Sequence, residues 1–107
     1  MKKFMARQGD ILIERIASLP DNAKEVEYKS WIVLAEGEVT GHAHTIKTTN
    51  RITKYFDLGD DVRAVAVKGR SVTVEHQEHA PIELDEGIYK VSRQKEYTPQ
   101  AIRNVAD

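Results

Sequence analysis

The chain has 107 residues, no cysteine and four histidines, with 16 basic residues against 17 acidic ones. Its length suits one domain spanning residues 1–107, and the balanced charge argues against a general electrostatic nucleic-acid binder. The missing thiols exclude a disulfide framework, a thiolate zinc site, an iron–sulfur cluster and a cysteine nucleophile.

Residues 1–8 carry positive charge with no apolar run behind it. No stretch approaches the roughly 20 apolar residues of a membrane span. The expectation is a cytoplasmic protein with no membrane partner.

Apolar residues then fall in short β-branched groups bounded by Gly, Pro, Asp or Asn, which is a strand pattern. Strands are expected at residues 10–16, with Leu19-Pro20-Asp21-Asn22 as a turn, and at residues 31–35, 40–46 and 51–57. Leu58-Gly59-Asp60-Asp61 reads as a turn. Residues 62–67 and 71–76 flank Lys68-Gly69-Arg70, which reads as a three-residue hairpin connection. A last strand is expected at residues 87–94. One polar helical turn is expected within residues 21–28, and a short C-terminal helix over residues 99–105 with Thr98 as its N-cap. The sum predicts an all-β fold, a small single-domain barrel or sandwich. Residues 75–86 are acidic and residues 90–103 largely basic, which fits two solvated edges.

All four histidines sit in two pairs, Gly41-His42-Ala43-His44 and His76-Gln77-Glu78-His79. Residues two apart on a strand share a face, so His42 and His44 are expected side by side. Val72, Val74 and His76 share one parity. His79 has the other, and joins His76 only if the chain turns near Gln77-Glu78, where Pro81 fits a strand end. A divalent transition metal needs three or four imidazole or carboxylate donors at about 2.0–2.2 Å from one point. His42, His44, His76 and His79 are the candidate ligands, for zinc, iron, nickel or copper without discrimination. Glu75 and Glu78 are the nearest carboxylates, able to ligate, to orient a histidine or to act as base on metal-bound water.

Three function classes follow. The first is a metal-binding protein, with metal-assisted hydrolysis of a small-molecule substrate and Glu78 or Glu75 as catalytic base. The second is a non-enzymatic interaction protein, phage- or mobile-element-associated, working as a homo-oligomer that hides its sheet edges. The third is metal-free acid–base chemistry between two facing histidines. Histidines in a chain of this size are commonly exposed or simply hydrogen-bonded. Here none stands alone.

The stretch Val33-Leu34-Ala35-Glu36-Gly37-Glu38-Val39-Thr40-Gly41-His42-Ala43-His44 occurs together with His76-Gln77-Glu78-His79-Ala80-Pro81-Ile82-Glu83-Leu84, after the opening Gln8-Gly9-Asp10-Ile11-Leu12-Ile13. In this the chain resembles a group of short uncharacterised bacterial and phage proteins, a resemblance that implies no activity. Gly41-His42-Ala43-His44 is also similar to the start of the first cupin motif, which implies a β-barrel with His42 and His44 on a metal. Residues 45–50 hold no glutamate, and His76 and His79 precede Pro81 and Gly87 rather than follow them. Only His42 and His44 carry over.

Overall fold

The computed structural model describes residues 4–36, 42–48, 52–93, 95–97 and 102–104. Among these residues there are strands and turns and no helix. β1 (Met5–Gln8) and β2 (Ile11–Ile16) form a hairpin across Gly9-Asp10, with Gln8 opposite Ile11. Further along lie β3 (Lys24–Val26), β4 (Trp31–Glu36), β5 (Ala43–Lys47) and β6 (Lys54–Gly59). β7 (Val62–Val67), β8 (Val72–Glu75), β9 (Ile82–Leu84) and β10 (Gly87–Arg93) follow. β11 (Lys95–Tyr97) and β12 (Ile102–Asn104) end the described chain.

Two antiparallel sheets carry the fold, one ordered β1-β2-β10-β7-β6-β3 and the other β4-β5-β8-β9, with β11 and β12 pairing separately. The period-two alternation of each strand explains why they stack. Ile11, Ile13, Tyr55, Val65, Val67, Tyr89 and Val91 face inward from the first sheet. Ile32, Leu34, Ile46, Val72, Val74 and Leu84 meet them from the second. Burying each such aliphatic side chain is worth about 1.5–3 kcal/mol, so this shared core holds the layers together. The sheets do not close into one barrel, and the all-β expectation is met in a sandwich-like form.

Three local expectations are corrected. Within residues 21–28, the helical turn is replaced by β3, because Lys24, Glu25 and Val26 pair with Asp57, Phe56 and Tyr55 at the edge of the larger sheet. A partner ladder overrides weak helical propensity in so short a segment. Of the expected C-terminal helix, residues 102–104 instead form a strand, since Ile102–Asn104 pairs with Lys95–Tyr97, while Thr98 and residues 99–101 and 105 lie outside the described residues. Lys68-Gly69-Arg70 does not close a hairpin either. Both edges of β7 are taken by β6 and β10, so the chain crosses to the other sheet and β8 pairs with β5. Expected strand residues 40, 41, 51 and 94 lie outside the described residues.

β4 and β5 slip register by one residue between Val33 and Ala35, a bulge that sets Ala35 opposite His44. Among the described residues, no helix is long and apolar enough to cross a membrane.

Candidate functional site

β5 places His44 on its buried face, one residue from Thr45, which pairs with Glu75 of β8. Carrying that register one step further sets His44 opposite His76, just past the end of β8. Their ring centroids are 4.4 Å apart and tilted by 36°. The chain then bends through residues 77–79 and brings the His79 ring to 4.7 Å from His76. His42, immediately before β5, meets His76 edge-on at 5.5 Å. All four imidazoles therefore gather, with His76 as the hub. His44 lies on β5, and His42 lies one residue before its start.

Behind His76 lies a polar network that the sequence reading missed. Gln8 Nε2 donates to Val74 O at 3.0 Å and to Ala80 O at 2.9 Å, which fixes the orientation of its amide. Its Oε1 is then the acceptor for His44 Nδ1–H at 2.8 Å. His44 Nε2 lies 3.0 Å from Asp10 Oδ1, so a proton is held between imidazole and carboxylate. Asp10 Oδ2 accepts from Arg93 Nη1 at 2.6 Å. Arg93 also donates to Glu36 O at 2.6 Å and to Asp61 at 3.3 Å. Gln8, Asp10 and His44 are buried, and each finds its partners inside the protein, as such groups must. Gln8 and Asp10 flank the Gly9 turn, and that proximity was the one available signal in the sequence.

The other rings are held differently. His76 Nδ1 accepts the Glu78 backbone N–H at 3.0 Å. His42 Nδ1 is 3.8 Å from Glu78 Oε1, too far for a hydrogen bond. His42 Nδ1 and His79 Nε2 are both buried without a hydrogen-bond partner. Gly9, at φ 58°, lets the His79 ring approach: a Cβ there would lie 2.7 Å from His79 Nε2. Ala43 N–H donates to Gln77 Oε1 at 2.9 Å and ties the bend to β5.

Of the two carboxylates, Glu78 is exposed at the rim of the cluster beside His42. Glu75 is not brought to it. Strand alternation turns it to the outer face of β8, where it shares a cleft with Lys47 and Thr73. The larger cleft, about 530 Å³ between residues 25–29 and Thr53-Lys54, also lies away from the histidines. Among the described residues, no group of three or more His, Asp or Glu side chains stands as it is in an arrangement that would hold a metal ion. His44 has both ring nitrogens engaged, and His76 Nδ1 is spent on an amide.

A family model described as a domain of unknown function, DUF8820, matches residues 7–94. The chain belongs to the DUF8820 family. The matched span takes in the Gln8-Gly9-Asp10 turn, all four histidines and Arg93, so the whole cluster and its network lie within the DUF8820 domain. No curated protein and no solved structure matches the chain.

Proposed function

We propose that the chain binds a divalent transition metal at the rim of the histidine cluster, through His42, His76 and His79, with Glu78 as the neighbouring carboxylate base. The observation that carries this reading is the pair of buried ring nitrogens, His42 Nδ1 and His79 Nε2, left without hydrogen bonds on either side of His76. An unpaired buried polar atom costs about 1–3 kcal/mol, and coordination removes that cost. Rings sharing one tetrahedral metal have centroids about 5 Å apart. The His42–His76 and His76–His79 spacings of 5.5 and 4.7 Å are near this value. Coordination still demands movement. His76 Nδ1 must release the Glu78 amide, and the bend at residues 76–79 must tighten around the ion. His44 serves as a wall to the site and not as a ligand.

Nitrogen and oxygen donors suit zinc, iron or nickel alike. Bound there by three imidazoles, the ion would keep a fourth position open and would acidify a water for hydrolysis of a small-molecule substrate, with Glu78 at the rim as the proton acceptor and not a ligand. The test is elemental analysis of tag-free protein with a Co²⁺ titration. About one metal per chain is expected, lost in His42→Ala and His79→Ala variants that keep their β circular-dichroism spectrum. A wild-type chain that takes up no metal overturns the reading.

A homo-oligomeric interaction protein is the second reading, favoured by Trp31 and Val33, both exposed on the edge strand β4. Light scattering tests it, a monomer mass at high concentration counting against it.

A further inference from the structure

The Gln8-Gly9-Asp10 turn touches the histidine cluster at three consecutive residues. Gln8 Nε2 spans Val74 O and Ala80 O, the two carbonyls that bracket the segment bearing His76, Glu78 and His79. The same side chain receives His44 through Oε1. Gly9 leaves the space filled by the His79 ring. Asp10 holds the far nitrogen of His44 and is itself held by Arg93.

We infer that Gln8 is a positioning residue for the metal site, acting through the 76–79 segment that it clamps at both ends and through His44, on which His76 packs. The inference rests on the metal reading above and adds to it the residue that sets the site's geometry.

The chemistry of the amide explains why the position takes glutamine. Two N–H groups are needed for the two carbonyls, and one oxygen for the His44 Nδ1–H. Glutamate offers oxygens alone, and would set a carboxylate oxygen against Val74 O and Ala80 O. Leucine fills the volume and satisfies none of the three groups. The His44 ring is fixed in turn, because a flip about Cβ–Cγ would present carbon to Gln8 and Asp10. With Gln8 in place, the two ends of the bend are tied together, which limits how far the bend at residues 76–79 must move to close on an ion. Groups bonded directly to metal ligands typically contribute about 10–100-fold in metal affinity, and a residue acting through the ligand-bearing segment is expected at the lower end of that range.

The experiment is a Co²⁺ titration of wild type, Gln8→Glu and Gln8→Leu, read by visible absorption and isothermal calorimetry at a temperature where each variant is folded. A core variant far from the site, Val65→Ala, is the stability control. The expected result is at least about tenfold weaker Co²⁺ binding with a changed ligand-field spectrum in both Gln8 variants. Val65→Ala should lose stability and keep both affinity and spectrum. Gln8 variants that bind Co²⁺ with wild-type affinity and spectrum overturn the positioning role and leave the metal reading intact. A wild type that binds no Co²⁺ overturns the metal reading itself.

Should neither Gln8 variant fold, NMR of the wild-type Gln8 side-chain amide decides. Slow exchange in the free protein and a shift on adding Zn²⁺ support the clamp. Rapid exchange, or no shift at saturation, overturns it.

Discussion

His44 Nε2 lies 3.0 Å from Asp10 Oδ1, and neither side chain reaches solvent. Asp10 is thus set between an imidazole and the Arg93 guanidinium, whose Nη1 is 2.6 Å from its other oxygen. The three residues come from the β1–β2 turn, β5 and β10, so the contact joins the two sheets at one end. Asp10→Ala removes the partner of His44 Nε2 and the shortest ionic contact of Arg93, whose guanidinium keeps Glu36 O and Asp61. Breaking a buried pair on one side costs about 3–5 kcal/mol. A urea melt should therefore show Asp10→Ala as strongly destabilised, and a loss below about 1 kcal/mol would show the network to be marginal.

Gly9 gives a second, more local test. Its φ of 58° is costly for residues with a Cβ, and that Cβ would sit 2.7 Å from His79 Nε2 and 3.3 Å from His44 Cε1. Gly9→Ala should lower stability by about 1–2 kcal/mol from the backbone alone. The His79 ring should move as well. Imidazole NMR signals check this: His79 and His76 should shift together, because their rings pack on one another.

Which parts of this architecture were legible follows from where each element gets its stability. β2, β4, β5, β6, β7, β8 and β10 announce themselves through alternating or β-branched residues that face a shared core. β1 reads Met-Ala-Arg-Gln and β3 reads Lys-Glu-Val, and neither has a strand pattern of its own. They are strands because β2 and β6 offer them a ladder, which composition does not encode. The gathering of the histidines was legible, since one turn at Gln77-Glu78 suffices to bring His79 back to His76. The parity that sends His76 inward also sends Glu75 outward, so that candidate was separable by the same rule. Gln8, Asp10 and Arg93 were not legible as one unit. Asp10 is 34 positions from His44 and 83 from Arg93, and only the folded register brings them together.

Tyr55 supplies the third prediction, at the opposite seam of the sandwich. Its hydroxyl donates to Val33 O of β4 at 2.8 Å and accepts from Arg63 Nε at 3.1 Å. Tyr55→Phe keeps the ring in the core and removes both bonds. The expected loss is about 1–2 kcal/mol, smaller than for Asp10→Ala because no buried carboxylate is removed and Arg63 keeps Asp57 at 3.1 Å. Equilibrium unfolding measures it. Backbone exchange at β4 should also quicken, since Val33 O loses its cross-sheet cap.

The same tyrosine, together with Tyr89, sets the alkaline limit of the fold. Burial raises the ionisation of both above the ordinary 10.0, at Tyr55 against the opposing pull of Arg63 and at Tyr89 against Arg15. The Tyr89 hydroxyl also donates to Asp85 O at 2.7 Å, a bond the phenolate cannot make. Above about pH 10 the unfolded chain loses these phenolic protons first and so binds fewer than the folded one. Stability is then a falling function of pH: the contribution is whole below about pH 10 and disappears as pH rises through the folded-state values. Phenolate absorbance and far-ultraviolet circular dichroism should be followed together on alkaline titration. Of the four tyrosines in the chain, Tyr55 and Tyr89 should ionise in step with unfolding. A Tyr55→Phe, Tyr89→Phe double variant should lose the late-titrating component and show a flatter dependence of stability on pH in this range. Full ionisation of all four in a still-folded chain would contradict the burial argument.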